Sequence, residues 1–161
     1  MIEALFSGRI LRISDGVQDI FRKYQQKTGE NEAGGILLGF VYNDSDEIIQ
    51  ATEPHYSDSR GLTFFIRKKQ PAQRQVNSAW VKSSGSLVYL GEWHTHSQRN
   101  PRPSTEDRDL MAKVISETLM DIDYVYMIIV GTDDYWIGIQ TPEGLKQATI
   151  KHRRALGGAK K

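Results

Sequence analysis

The sequence predicts a mixed fold of helices and strands, α/β or α+β, built around one sheet. Segments with the two-residue period of strands alternate along the chain with segments of helical period. The 161 residues suit one compact domain with its own core, and no repeat or linker divides them. Hydrophobic residues make up 39% and charged residues 25%, the balance of an ordinary globular protein. We therefore expect a single domain.

The first elements are a strand and a helix. Residues 3–13 alternate well enough to predict one strand. Ser14 or Asp15 is placed to cap a helix that ends near Gly29. The apolar residues of this helix recur at helical spacing and are Val17, Ile20, Phe21 and Tyr24.

The next elements are strands and a second helix. Residues 34–42 form an apolar run typical of a buried strand, and residues 43–46 form a turn before a returning strand at 47–52. Another strand is predicted over 62–68. A helix over 71–82 would bury Ala72, Val76, Ala79 and Trp80 on one face.

The third group begins with the predicted central strand, residues 87–96. The segment Asn100-Pro101-Arg102-Pro103 separates it from a helix that starts at Ser104 and runs to about residue 119. The buried stripe of that helix is predicted to be Leu110, Met111, Val114, Ile115 and Leu119. The remaining strands are predicted at 124–130, 134–140 and 144–151.

Charge and composition exclude several classes of function. The net charge is +1, so no overall charge favours nucleic acid or an anionic membrane as the main partner. The chain has no cysteine, which excludes disulfides, thiolate metal sites and a Cys nucleophile. No apolar run approaches the roughly 20 residues of a membrane span, and the first residues lack the pattern of a secretory signal. We expect a cytoplasmic protein.

Three residues have the types and spacing of a metal site. His94 and His96 are two apart on a predicted strand, so their side chains point to the same face. Asp107 lies in the first turn of the next helix if Ser104 is the N-cap, where its carboxylate could turn back toward the strand. Three such ligands leave a fourth position for water, as in catalytic zinc sites, and zinc lowers the pKa of that water to about 7.

The histidine pair alone is weak evidence, because half-buried strands carry such pairs by chance. Ser104 and Asp107 at their fixed offsets make a chance match rare. Glu92 shares a strand face with the histidines, so proximity alone would make it a candidate general base. It could equally orient a ligand imidazole from behind.

The spacing His94-x-His96, seven residues, then Ser104-x-x-Asp107 resembles the signature of the JAMM (MPN+) metallopeptidases. Glu32, just before the glycine-rich apolar run Gly34–Gly39, resembles a second element of that family. The resemblance covers nearly the whole chain, residues 1–154, and leaves 155–161 as a flexible C-terminal tail. It implies a single JAMM/MPN domain, cytidine-deaminase-like, with a central, mostly antiparallel sheet flanked by helices.

The resemblance also implies a role for each residue. His94, His96 and Asp107 would hold one Zn²⁺ per chain. Glu32 would be the general base that takes the proton of water and passes it to the leaving amine. Ser104 would donate a hydrogen bond to the carbonyl oxygen, a role that competes with helix capping. On this pattern Glu32 rather than Glu92 is the base, and Glu92 is a candidate second-shell partner.

Within this family, the short chain is most similar to a bacterial group, the deconjugases of CBASS antiphage operons. That similarity implies cleavage after the C-terminus of a cGAS-like nucleotidyltransferase, or of a ubiquitin-like protein. It also implies a functional link to an E1–E2 fusion enzyme that makes the conjugate. No nucleic acid or membrane partner is expected.

A substrate of this kind has an extended tail, which needs a narrow groove across the metal. The segments 56–70 and 97–103 flank the predicted site and are candidates for its walls. Phe64 and Phe65 would face opposite ways, so one could line the groove, although core packing competes for each. Arg99, in the second segment, could contact substrate or lie in solvent.

Several alternatives stay open. The chain could be a deconjugase of another bacterial ubiquitin-like system, or a metal-dependent amidase acting on small substrates. A RadC-like branch shares the histidine and Ser-x-x-Asp elements, and some MPN domains are scaffolds without metal ligands. A Ser–His hydrolase using Ser104 is a further possibility, and chelation would leave it active.

Overall fold

The computed structural model of the chain describes residues 1–118 and 120–151. The helices in this part are α1 (Asp15–Tyr24), α2 (Lys69–Lys82) and α3 (Thr105–Glu117). The strands are β1 (Ile2–Phe6), β2 (Arg9–Ile13), β3 (Gly34–Val41), β4 (Ser45–Ala51), β5 (Ser59–Arg60), β6 (Phe65–Ile66), β7 (Val88–Thr95), β8 (Val125–Val130), β9 (Tyr135–Thr141), β10 (Gly144–Gln147) and β11 (Thr149–Lys151). The predicted tail 155–161, the boundary after residue 154 and Leu119 lie outside the described residues.

One large sheet dominates the structure. In the described residues it has nine strands, in the order β10-β9-β8-β7-β3-β4-β2-β1-β11. The β2–β4 and β7–β8 pairs are parallel, and the other pairs of this sheet are antiparallel. The prediction of a mixed α+β domain around a mostly antiparallel sheet is confirmed.

The two ends of this sheet meet. β10 and β11 stand at opposite ends of the strand order, yet only Ala148 separates them in the chain. Residues two apart lie at most about 7 Å from each other, so the sheet must curl until its ends come together. The single strand predicted over 144–151 is therefore two strands, the first paired with β9 and the second with β1.

The curled sheet encloses the main core. Its inner side and α1 supply the largest buried cluster, which includes Phe21, Trp93 and Tyr126. α3 packs on the outer side through Met111 and Val114 against β8 and β9. α2 covers another part of the outer side, where Ala72 meets residues of β3. α2 and α3 therefore leave a gap on the outer side in which a site can form.

Two predicted strands differ in the structure. Residues 3–13 form two strands joined by a tight turn, in which Gly8 takes a left-handed φ of 77°. The alternation of apolar residues continues on both sides of that turn, so the sequence pattern does not reveal the turn. Over the predicted strand 62–68, only Phe65 and Ile66 are in a strand, and they pair with Ser59 and Arg60 in a separate two-stranded sheet.

The first helix is shorter than predicted. Ser14 caps it, because its Oγ accepts the Val17 N–H at 3.3 Å, but the helix ends at Tyr24 rather than near Gly29. Gln25 and Gln26 leave the helix and donate from their side-chain amides to backbone carbonyls of distant loops. These tertiary hydrogen bonds replace those of another helical turn.

Two apolar residues predicted to be buried on helices are exposed. Trp80 of α2 is 54% exposed and Leu110 of α3 is 43% exposed. The curled sheet covers only a narrow strip along the apolar face of each helix. Trp80 and Leu110 lie at the margins of these strips. None of the helices in the described residues is long and apolar enough to span a membrane.

Candidate metal centre

His94, on strand β7, and His96, just after its end, lie on the outer face of the sheet. Trp93 points into the core enclosed by the sheet, so strand alternation turns Glu92, His94 and His96 outward. His96 lies just after the strand, and its N–H still donates to the Val130 carbonyl at 2.9 Å. This bond keeps the second imidazole in line with the first.

The start of α3 positions the carboxylate. Ser104 is the N-cap, and its Oγ accepts the Asp107 N–H at 3.1 Å. The Asp107 carboxylate in turn accepts the Ser104 N–H at 2.9 Å, which completes a capping box. Met111, one turn later, is buried against the sheet. Asp107 is thus held on the face of the helix that looks toward β7.

The three side chains converge on one point. His94 Nε2 and His96 Nε2 lie 3.1 Å apart. Asp107 places Oδ1 3.1 Å from His94 Nε2 and Oδ2 3.2 Å from His96 Nε2. Zinc bonds of about 2.0–2.1 Å in a tetrahedral site put neighbouring donor atoms about 3.3 Å apart. Both the spacing and the donor set, two imidazoles and a carboxylate, fit a zinc ion.

Contacts among the side chains of the site shift the pKa values of Asp107 and His96. Burial opposes a charge on Asp107, but hydrogen bonds with His94 and His96 outweigh it and hold the pKa of Asp107 well below its usual range. Burial alone would lower the pKa of His96, yet the hydrogen bond to Asp107 and its negative charge raise it. Asp107 is consequently ready as an anionic ligand at every ordinary pH.

Glu32 lies beside the two histidines. The Thr95 N–H donates to the Ala33 carbonyl at 2.8 Å, and the Ala33 N–H donates to Thr95 Oγ1 at 2.9 Å. These bonds extend the β3–β7 ladder by one residue and bring Glu32 next to the ligand face. The side chain is buried, which raises its pKa against the opposing charges of His96 and His94. A raised pKa is what a general base near neutral pH requires.

Glu92 has partners other than the histidines. Arg67 Nε donates to Glu92 Oε1 at 2.8 Å and its Nη2 donates to the same oxygen at 2.6 Å. Tyr89 also donates its hydroxyl to Oε1 at 3.0 Å. No hydrogen bond joins Glu92 to either histidine in the part of the chain that the structure describes. Glu92 shares their face as predicted, but its carboxylate holds Arg67 rather than an imidazole.

The second ring nitrogen of His96, Nδ1, has a polar partner in Gln98, which is not among the predicted site residues. Its Oε1 lies 3.3 Å from His96 Nδ1 and also accepts the Arg102 N–H at 3.2 Å. Such a bond to the second ring nitrogen orients a ligand imidazole. The only signal in the sequence was an amide side chain two residues after a predicted ligand.

The predicted groove residues occupy different surroundings. Phe64 is 46% exposed, so it is not in the core. Phe65 is half-buried, and its ring covers Gly34, where an added Cβ would lie 2.6 Å from the ring. Arg99 is exposed and donates to Asp133 at 2.7 Å. Phe64 and Phe65 therefore lie on the β3 side of the site, while Arg99 lies beyond it with Asp133.

The chain is similar to several known proteins. Residues 14–143 match the family described as prokaryotic homologs of the JAB domain, Prok-JAB. A "CD-NTase/cGAS isopeptidase" of Escherichia coli (strain TW11681) is 33% identical over 148 residues, covering 91% of each chain. A protein of the same name from Pseudomonas aeruginosa (strain BWHPSA011 / Pa011) is 32% identical over 136 residues, covering 84% of this chain and 85% of its own.

A solved structure has a similar fold. The solution structure of a protein from Desulfitobacterium hafniense superposes with a TM-score of 0.59 at 17% identity. The match covers 85% of this chain and 88% of that one. Because the family match spans most of the chain and relatives above 30% identity cover nearly all of it, the chain belongs to the prokaryotic JAB domain family.

Proposed function

We propose that this protein is a zinc-dependent isopeptidase that removes a cGAS-like nucleotidyltransferase from the proteins to which it is conjugated. The observation that carries the proposal is the convergence of His94, His96 and Asp107 beside the buried Glu32. Relatives that match over nearly their whole length bear the name CD-NTase/cGAS isopeptidase, which supports the same substrate here. The reaction would belong to bacterial antiphage defence, downstream of an E1–E2 fusion enzyme.

Each residue of the site has a separate role in the proposed amide hydrolysis. His94, His96 and Asp107 would hold the zinc, which supplies Lewis acidity and lowers the pKa of water. Glu32 takes the proton of the attacking water and returns it to the departing lysine amine, so no proton is gained or lost overall. Ser104 donates its hydroxyl hydrogen to the carbonyl oxygen as that oxygen becomes negative.

The capping role of Ser104 leaves this donation possible. In the cap, Ser104 Oγ acts as an acceptor for the Asp107 N–H. A hydroxyl has one donor and two acceptor sites, so its hydrogen stays available for substrate. The two roles that compete in the sequence analysis are therefore compatible in this geometry.

The β3 side of the site offers a surface for a protein substrate. The segment 56–66, which we call the β5–β6 hairpin, exposes large apolar side chains beside Glu32. Its backbone is joined to Glu32 by the Glu32 N–H to Gly61 carbonyl bond at 2.8 Å. An extended C-terminal tail could lie along this hairpin and reach the metal site. The apolar side chains are Tyr56, Leu62, Phe64 and Ile66.

This surface favours a protein substrate over a small amide. An amidase for small molecules gains nothing from an exposed apolar surface, whereas an apolar hairpin beside the site suits a folded partner with a tail. A deconjugase of another bacterial ubiquitin-like system would use the same surface. The identity of the tail that is cleaved separates those two candidates.

The test combines metal content with cleavage. Zinc per chain is measured by elemental analysis, and cleavage is followed on a cGAS-like nucleotidyltransferase fused through its C-terminus to a reporter. Both assays are repeated with Glu32→Gln, with chelator, and with the control Glu30→Gln. Glu30 is an exposed acid two residues from Glu32, so its variant removes a charge of the same kind.

We expect about one zinc per chain and cleavage that chelation abolishes. Glu32→Gln should keep the zinc and lose activity by about 10²–10⁴-fold, while Glu30→Gln keeps both. Zinc without cleavage of this fusion, but with cleavage of another ubiquitin-like tail, would move the assignment to that conjugation system. Activity that survives chelation would contradict the metallopeptidase.

A further inference from the structure

A cavity of about 530 Å³ lies at the β9 and β10 end of the sheet, whereas the β5–β6 hairpin adjoins the start of β3. One wall is the loop from Asn100 to Pro103, and another is the first turn of α3. The floor belongs to the start of β9 and the end of β10. Its volume is in the range of sites that take up a small ligand or a few residues of a peptide.

Two arginines at this cavity have no side-chain partner in the described part of the chain. Arg102 and Arg108 line it, and their guanidinium groups make no hydrogen bond or ion pair within residues 1–118 and 120–151. Other arginines around the site are engaged, since Arg67 binds Glu92 and Arg99 binds Asp133. The cavity therefore presents two guanidinium groups that are free to bind an anion.

The loop that carries Arg102 is tied to the metal site. The Arg102 N–H donates to Gln98 Oε1, the same atom that lies 3.3 Å from His96 Nδ1. Arg108 directly follows Asp107 on α3. In the sheet, the ligand strand β7 lies between β3, where the hairpin attaches, and β8 and β9, toward the cavity. A chain that crosses the metal from the hairpin would continue into this cavity.

We propose that the cavity binds an acidic segment of the protein substrate on the leaving-amine side of the cleaved bond. This proposal rests on the peptidase function proposed above. Arg102 and Arg108 pair with carboxylates of the target protein and select targets with acidic residues near the modified lysine. Both arginines line the cavity and neither belongs to the metal cluster, so their role is in specificity rather than in chemistry.

The lining favours a peptide over a nucleotide. Asp134 is part of the same cavity, and its carboxylate opposes the charges that a polyphosphate concentrates in one place more than it opposes the single, separated charges of two carboxylates. Trp136 also lines it but is only 6% exposed, which leaves little of the indole face for stacking on a base. Gln147 adds an amide that can bond to a peptide backbone.

The first experiment measures binding without catalysis. A fluorescein-labelled peptide with alternating Asp and Glu is titrated with the full chain in chelator, and fluorescence anisotropy gives the Kd. A peptide with Asn and Gln in place of the acids is the neutral probe. The variant is Arg102→Gln with Arg108→Gln, and the matched control is Arg74→Gln with Lys82→Gln. The control removes the same charge from exposed positions on α2.

We expect the acidic peptide to bind and the neutral one not to bind. The double cavity variant should weaken binding by about tenfold for each arginine removed, about a hundredfold in all, while the α2 control leaves the Kd unchanged. Equal loss in the two double variants would show a general charge effect and overturn the proposal. ADP and inorganic phosphate are tested as competitors, and tighter binding of ADP than of the peptide would overturn it as well.

The second experiment uses the zinc-loaded enzyme and two fusions that differ only after the cleaved bond. One carries acidic residues there and the other carries their amides. The cavity variants should raise KM for the acidic fusion to that of the neutral one and leave kcat unchanged. If neither fusion is cleaved while the acidic peptide still binds through Arg102 and Arg108, the peptidase assignment fails and the anion site stands.

Discussion

The Asp107 carboxylate takes part both in the cap at the start of α3 and in the candidate metal site. Its Oδ2 accepts the Ser104 N–H at the start of α3 and lies 3.2 Å from His96 Nε2. Its Oδ1 lies 3.1 Å from His94 Nε2. The helix start and the metal site are thereby joined through a single side chain. A change at Asp107 should affect both, whereas a change at its exposed neighbour Glu106 should affect neither.

Asp107→Ala should bind no zinc at neutral pH and should have no peptidase activity, because only two ligands would remain. Loss of the carboxylate from the capping box should also destabilise the chain by about 0.5–2 kcal/mol. Elemental analysis, the fusion assay and chemical denaturation check the three effects. Glu106→Ala is the control in the same helical turn. Full zinc occupancy in Asp107→Ala would remove Asp107 from the ligand set.

The pH dependence of stability follows from His96. Its pKa in the folded, zinc-free chain is raised above the ordinary value of about 6.5. The stabilisation from its protonated form is therefore complete below that value and is lost as the pH rises through the folded pKa. Because the pKa of Asp107 is lowered, Asp107 stays ionised across this window and adds no slope.

We accordingly expect the unfolding temperature of the EDTA-treated chain to fall as the pH rises above the ordinary histidine pKa of about 6.5. With zinc the slope should reverse, because the ion needs neutral imidazoles and binds more tightly as protons leave. Differential scanning calorimetry at a series of pH values measures both slopes. His96→Gln should flatten the first slope and abolish the second. Parallel slopes with and without zinc would contradict the proposed ligand role.

At the scale of elements, a β-bulge in β7 sets which of its side chains face the core and which face outward. The register with β3 shifts between Leu37 and Leu38, opposite Gly91 and Tyr89. Gly91 adopts a φ of 153°, and an added Cβ would lie 2.0 Å from the Tyr126 carbonyl oxygen. The bulge lets Leu90 fill the core while the ligand positions still face outward.

Gly91→Ala should destabilise the chain by about 3 kcal/mol or more, because both the backbone conformation and the contact with β8 oppose a methyl group. It should also lower zinc affinity, since the histidines follow directly. Gly16→Ala is the matched control, because Gly16 is exposed in α1 with no atom within 4 Å of an added Cβ. That change should raise stability by about 0.5–1 kcal/mol. Urea denaturation and zinc titration distinguish the two, and equal effects would contradict this account of the bulge.

The site was easier to predict from the sequence than its surroundings. His94, His96 and Asp107 follow from two local periods, that of a strand and that of a helix start. Those periods do not depend on distant parts of the chain. Their role as ligands stays a prediction, but the structure brings their donor atoms together.

The surroundings depend on distant contacts that no local period encodes. The pairing of Arg67 with Glu92 joins residues 25 apart in sequence, and nothing near either residue indicates it. The helical period likewise does not predict how wide a strip of a helix the sheet will cover. That is why Leu110 was predicted to be buried and is exposed.

At the scale of the whole molecule, the consecutive strands β10 and β11 connect the two ends of the curled sheet. Alternation over 144–151 predicts a strand, but it does not say that the partner changes from β9 to β1 at Ala148. In β11, Ile150 pairs with the fully buried Ala4 and packs against the core. The exposed Thr149 precedes it. Closure of the curled sheet therefore depends on Ile150 far more than on Thr149.

Ile150→Lys should destabilise the chain by about 1–3 kcal/mol, because it replaces an apolar contact at the closing edge with a charge. Thr149→Lys, an equally large change on the exposed face of β11, should stay within about 0.5 kcal/mol of the parent chain. Hydrogen exchange should locate the difference, with faster exchange in β1 for Ile150→Lys only, because opening that edge exposes its amides. The metal site lies on β7 and α3, away from this seam, so zinc stoichiometry should be the same in both variants. Unchanged β1 exchange in Ile150→Lys would mean that β11 does not hold the sheet closed.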